Sequence, residues 1–158
     1  MFDLDITITA KGWNKRTANK VRSVITKEAL KDLARWYHIE IFPAHFQPDA
    51  HARYAYHERE IKWQERKQRT TGQNIDMVYR GQMQNMMVHQ RKSPTGSAKR
   101  VRLKIPGPAY LYYHSKVHEL GRITHGELQE MTKRFDEFMQ KRLDELLKHE
   151  PDWLIEVK

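Results

Sequence analysis

The chain contains no cysteine, which excludes disulfide frameworks, thiolate metal sites and cysteine nucleophiles. Glycine is scarce, at seven residues, and neither GxxxxGKS/T nor GxGxxG occurs. A loop built to cradle phosphates therefore has no raw material. No stretch approaches the roughly 20 apolar residues of a membrane-spanning helix, and no membrane is expected among the partners. The opening MFDLDITITA lacks the basic start and continuous apolar run of a signal peptide. The only serines are Ser23, Ser93, Ser97 and Ser115, none in a nucleophile-elbow context.

Metal-binding spacing is equally thin. There is no HExxH, and the nearest approach to a chelating pair is His114 with His118 beside Glu119, where Pro106 and Pro108 argue against the helix that would align them. His45, His51 and His57 stand six apart, a spacing that fits no ligand face. With no convergent acid, base or nucleophile, neither catalysis nor a cofactor is expected.

What is present is charge. Charged residues make up 31% and hydrophobic residues 39% of 158 residues, with a mean hydropathy of −0.88. That composition predicts one domain over residues 1–158 with a thin core. Such a chain gains by burying its remaining apolar surface against copies of itself or other neighbours. The formal charge of +9 is uneven: residues 1–50 carry net +2, residues 51–105 net +9 and residues 106–158 net −2. The middle third is suited either to a polyanion, nucleic acid being the common case, or to an acidic partner.

Residues 2–9 place Phe2, Leu4, Ile6 and Ile8 on one face, the period of a half-buried strand. From about Thr17, Val21, Val24, Ile25, Ala29, Leu33, Trp36, Tyr37 and Ile41 recur at helical spacing, which predicts a long amphipathic helix ending before Pro43. Over residues 42–75 Pro43 and Pro48 interrupt a segment in which Phe42, Phe46, Tyr54, Tyr56 and Trp63 follow no single period. This reads as a long extended arm, its aromatics lying on a neighbouring subunit. A short helix is expected over about 76–88, with Met83, Met86 and Met87 as an adaptable contact surface or as ordinary core filling. Turn chemistry at Ser93 to Gly96 then feeds a strand in which Val101, Leu103 and Ile105 alternate with Arg100, Arg102 and Lys104. With Lys99, these cations form a candidate face for DNA or an acidic partner. Thr124 and Glu127 make a capping-box pattern before a second long amphipathic helix through Leu128, Met131, Phe135, Phe138, Met139, Arg142, Leu146 and Leu147. Residues 150–158 form a tail whose Trp153 to Val157 stretch is either a strand or a docking segment. The expected class is α+β, with a small antiparallel sheet packed by two long amphipathic helices and a long extended arm.

The ordered series of segments resembles a known family. A strand and long helix, then HFQPDAHARYAYHERE, MVYRGQM, the cationic strand with KIPGPAYLYYH, and ELGRITHGELQEMTKRFDEFMQKRLDELL, is similar to the small neck and tail-completion proteins, or head-tail connectors, of tailed bacteriophages. The resemblance spans about residues 15–148 and is one of pattern; Met83 to Met87 and the histidine-rich 45–57 region depart from it. It implies a non-enzymatic virion protein, made in the host cytoplasm. That protein forms a six-fold or twelve-fold homo-oligomeric ring at the head-tail junction, in a neck, tail-completion or tail-terminator role. Its neighbours would be a portal-side adaptor or stopper and the tail-tube protein, and double-stranded DNA would pass through it. The alternative is a small sequence-independent nucleic-acid-binding protein outside any virion.

Overall fold

The computed structural model describes residues 6–10, 15–72, 75, 78, 81–108, 115–149 and 153–157. Its first strand, β1 (Ile6–Ala10), precedes the long helix α1 (Lys15–Trp36). The helical path then widens into a π-helical turn at Tyr37–Ile41 and tightens into a 3-10 turn at Phe42–Phe46. Pro43 supplies the reason: it has no N–H to donate, and its ring would strike the carbonyl four residues back in a regular helix. The ladder slips by one residue just before it, and the Phe42 N–H bonds to the Tyr37 carbonyl.

Short helices α2 (Ala50–Arg53), α3 (Ile61–Thr71) and α4 (Gln82–His89) follow, and Gly72 closes α3 in the left-handed conformation with its N–H on the Gln68 carbonyl. A two-stranded hairpin joins β2 (Thr95–Gly96) to β3 (Val101–Arg102), a 3-10 turn spans Ser115–Gly121, and α5 (His125–His149) leads to β4 (Trp153–Val157). The final stretch is a strand: β4 pairs antiparallel with β1, Ile6 opposite Val157 and Ala10 opposite Trp153.

The molecule is mostly helical. Its two long helices, α1 and α5, pack against each other, and its strands form two-stranded antiparallel pairs. The expected single sheet beneath both helices is corrected accordingly. Pairing is spent at the chain's far-apart ends and in the hairpin, so neither pair widens into a layer. The helix expected over about 76–88 begins later, as α4 at Gln82: Val78 is not helical and Gly81 caps the helix at φ 73°. Phe2 and Leu4 lie outside the described residues.

The larger correction concerns residues 42–75. This segment is not an extended arm: Phe42, Phe46, Tyr54 and Tyr56 are buried in their own chain. Phe42 and Phe46 form the main cluster with Val78, Met83, Met87 and Leu120, while Tyr54 and Tyr56 enclose Ala50 in a second. A continuous aromatic column links them. His38 stacks on Phe42 at 5.6 Å, Phe42 meets Phe46 edge-on at 5.7 Å, and His45 stacks on Tyr54 at 3.9 Å. The prolines that break helical periodicity here turn the chain so that successive aromatics point inward from short turns. Met83 and Met87 likewise fill the main cluster, with Met86 half-buried, so the methionines serve the core rather than an open contact surface.

The hairpin has one stringent position. Gly96 adopts φ 154°, and a Cβ there would lie 2.1 Å from the Arg100 carbonyl oxygen. Gly96→Ala is therefore expected to undo the hairpin locally while leaving the helices intact. Amide exchange at Arg100 and Val101 should accelerate with far-UV circular dichroism nearly unchanged, and unaltered protection there would contradict this geometry.

Candidate functional site

Two buried carboxylates organise the junction between residues 50–59 and the start of α5. Glu127 closes the capping box that the sequence announces: its carboxylate accepts from the Thr124 N–H at 2.9 Å, and its own N–H reaches the Thr124 hydroxyl at 3.2 Å. It also accepts from the Tyr54 hydroxyl at 2.6 Å and from Arg53 at 2.9 Å. Glu119 accepts from the His57 N–H at 3.0 Å and from buried Arg59 at 2.5 Å. Burial pushes both carboxyls up. Against it the donors pull harder: Arg59 and the His57 N–H on Glu119, and Tyr54, Thr124 and Arg53 on Glu127. Both carboxyls end below their ordinary 4.5. Burial, then the hydrogen bond and charge of Glu127, drives the Tyr54 hydroxyl well above its ordinary range.

Arg122 completes the junction by donating to the Tyr54 and Ala55 carbonyls. Ala55 stands at φ 49°, a left-handed conformation that costs an L-residue roughly 1–2 kcal/mol. Arg53, Tyr54, Ala55, Arg122, Ile123 and Thr124 line an open depression of about 440 Å³ above it. Chemically the junction is closed: the two carboxylates are engaged by several donors each, which suits them to hold chain segments together.

Two histidines near it, His38 and His45, are packed inside the fold. His38, fully buried, donates from Nε2 to the Met87 carbonyl at 2.7 Å. His45 meets the Tyr56 hydroxyl through Nδ1 at 2.5 Å, while its buried Nε2 has no hydrogen-bond partner among the described residues. A protonated ring would bury a second N–H with no acceptor among the described residues, and burial pushes His45 down to about 4. His51 approaches Tyr56 edge-on at 6.5 Å. His114 lies outside the described residues and His118 is exposed in a 3-10 turn, whereas the adjacent Glu119 turns inward to Arg59. Among the described residues, no three His, Asp or Glu side chains are disposed to hold a metal.

The hairpin displays the second candidate surface. Ser97 and Arg100 exchange backbone hydrogen bonds at 2.8 and 3.3 Å, so Ala98 and Lys99 form a two-residue turn. Val101, Leu103 and Ile105 are half-buried, and Ile105 packs on the main cluster. Lys99, Arg100, Arg102 and Lys104 are exposed, as are Arg91 and Lys92 on the first leg. The alternation expected from sequence is thus realised. No Asp or Glu occurs anywhere from residue 77 to residue 118, and among the described residues no ion pair involves Lys92, Lys99, Arg100, Arg102 or Lys104.

Of the five aromatics expected at a subunit interface, only Trp63 stays outside, 40% exposed on α3 near Ile61 at 73%. Lys67, on the same helix, is buried, lies over the Trp63 ring at 4.8 Å and donates to the Ile75 carbonyl. Nothing in the local sequence marks Arg59, Arg122 or His38, and Glu119 stands out there only as a neighbour of His118. A periodicity argument scores them as polar surface, and the signal available was only the capping box that singled out Glu127. No protein-family model, curated protein or solved structure matches this chain.

Proposed function

We propose that this chain is a structural protein that assembles with copies of itself into a ring, of the kind found at the head-tail junction of tailed bacteriophages. The observation that carries the reading is the state of α5. Glu127 is its only fully buried residue among those described, and Met131, Phe135, Phe138, Met139, Leu143 and Leu146 are half-buried although they stand at core-facing spacing. A long helix normally owes its stability to an apolar stripe buried by packing. Here α1 covers only part of that stripe. Val24 on α1 and Leu128 on α5, both at apolar helical positions, are each 54% exposed. A neighbouring copy would complete the burial, as subunit contacts in obligate rings do.

The order of segments that resembles phage neck and tail-completion proteins supplies the biological setting. None of the described helices is long and apolar enough to cross a membrane. The second reading, a nucleic-acid-binding protein outside a virion, is favoured by the cationic hairpin alone.

Native mass measurement and negative-stain imaging of the purified protein test the proposal. A closed ring of six or twelve chains is expected. Val24→Glu and Leu128→Glu should each abolish the ring while shifting the stability of the single chain by only about 0.5 kcal/mol, the usual scale for surface changes. A monodisperse monomer at high concentration, alone and with neck partners, would overturn it.

A further inference from the structure

We infer that residues 91–104 form a contact for the sugar-phosphate backbone of double-stranded DNA, made without reading bases. The inference rests on the proposed function for the choice of DNA as the polymer. The hairpin itself supplies the chemistry. Burying Val101, Leu103 and Ile105 forces Arg100, Arg102 and Lys104 to the opposite, exposed side, and the two-residue turn puts Lys99 at the tip.

Alternate residues of an extended chain lie roughly 6.8 Å apart, so Arg100 to Lys104 spans about 14 Å. That is the axial length of about four phosphates on one DNA strand. The spacing is shorter than the Debye length of about 8 Å at physiological salt, so the three cations repel one another in the free chain. An apposed row of phosphates removes that repulsion.

An acidic protein is the competing occupant, and the composition of the face argues against it. Protein interfaces are anchored by aromatic side chains and arginine and are depleted in lysine. Outward from this hairpin stand Lys92, Ser93, Thr95, Arg100, Arg102 and Lys104, two of them lysines and none aromatic, so the arginines have no aromatic anchor beside them. Cations, small hydroxyls and no carboxylate for 42 residues suit a uniform polyanion.

The experiment measures binding of two unrelated 24-base-pair duplexes between 50 and 200 mM salt. Four phosphate contacts predict an affinity loss on the order of 100-fold across that range, equal for both sequences. Replacing Arg100, Arg102 and Lys104 together by Gln should reduce the loss to about 4-fold. Removing equal charge on α5, as Lys133, Lys141 and Lys148 to Gln, should leave the salt dependence of the parent. The inference is overturned if the hairpin variant keeps the parent's salt dependence. It is also overturned if a polyglutamate of matched charge competes as well as DNA, which would identify an acidic protein partner. Oligomeric state is read on the same samples. A ring with unchanged salt dependence sinks the hairpin alone, and a monomer whose salt dependence falls as stated sinks the ring alone.

Discussion

Replacing Glu119 by alanine is expected to destabilise the chain by about 3–5 kcal/mol, the usual cost of stripping one partner from a buried ion pair. Arg59 is 2% exposed in its side chain, and Glu119 3%. Without Glu119 its guanidinium would keep a full charge out of water, and the His57 N–H would lose its acceptor. Against a total stability of typically 5–15 kcal/mol, this is enough to populate the unfolded chain. Glu137→Ala, which opens the exposed pair with Arg134, should change stability by less than about 1 kcal/mol. Urea titrations of both variants measure the contrast, and similar midpoints would show that the Arg59 pair is not desolvated.

The same groups set the response to acid. Glu119 and Glu127 titrate below 4.5 when folded, so their contribution is present above that unfolded value and is lost as the pH falls through the lower folded ones. His45 acts earlier. Its folded value of about 4 lies below the ordinary 6.5, so the unfolded chain binds the extra proton first, and stability declines from about pH 6.5 downward. Two successive declines are expected, and His45→Gln should weaken the upper one while leaving the lower.

Phe46→Ala is expected to cost the isolated chain about 3–5 kcal/mol, the range for truncating a buried phenylalanine. Phe46 is 1% exposed and meets Phe42 edge-on within the main cluster. Had residues 42–75 been an arm on another subunit, the same change would spare the lone chain and harm only assembly. Urea denaturation of the variant, under conditions that keep the parent monomeric, separates these outcomes. An unchanged midpoint would restore the arm.

The difference between those accounts marks how far the sequence was legible. Both long helices, the hairpin's alternation and the Thr124–Glu127 box follow local rules of period, turn and cap, and these are readable along one stretch of chain. The fate of Phe42, Phe46, Tyr54 and Tyr56 depends on what they meet across the fold: Val78, Met87, Leu120 and Glu127. No period betrays aromatics delivered inward by a π turn, a 3-10 turn and a four-residue helix in succession. Nor does polarity betray Glu119 and Arg59, whose opposite charges meet across 60 residues of chain. The cationic face was visible because it needs no distant partner to define it.

The pairing of β1 with β4 has a consequence for synthesis. Ala10 lies opposite Trp153, so the first strand leaves the ribosome long before its partner exists. At roughly 5–20 residues per second the interval is on the order of 10–30 s. Throughout it, the ITITA strand presents an unpaired edge of alternating isoleucine and threonine, the kind of edge that recruits other strands. Each nascent chain must therefore keep that edge from neighbouring copies until β4 is made, most pressingly when many chains are synthesised side by side.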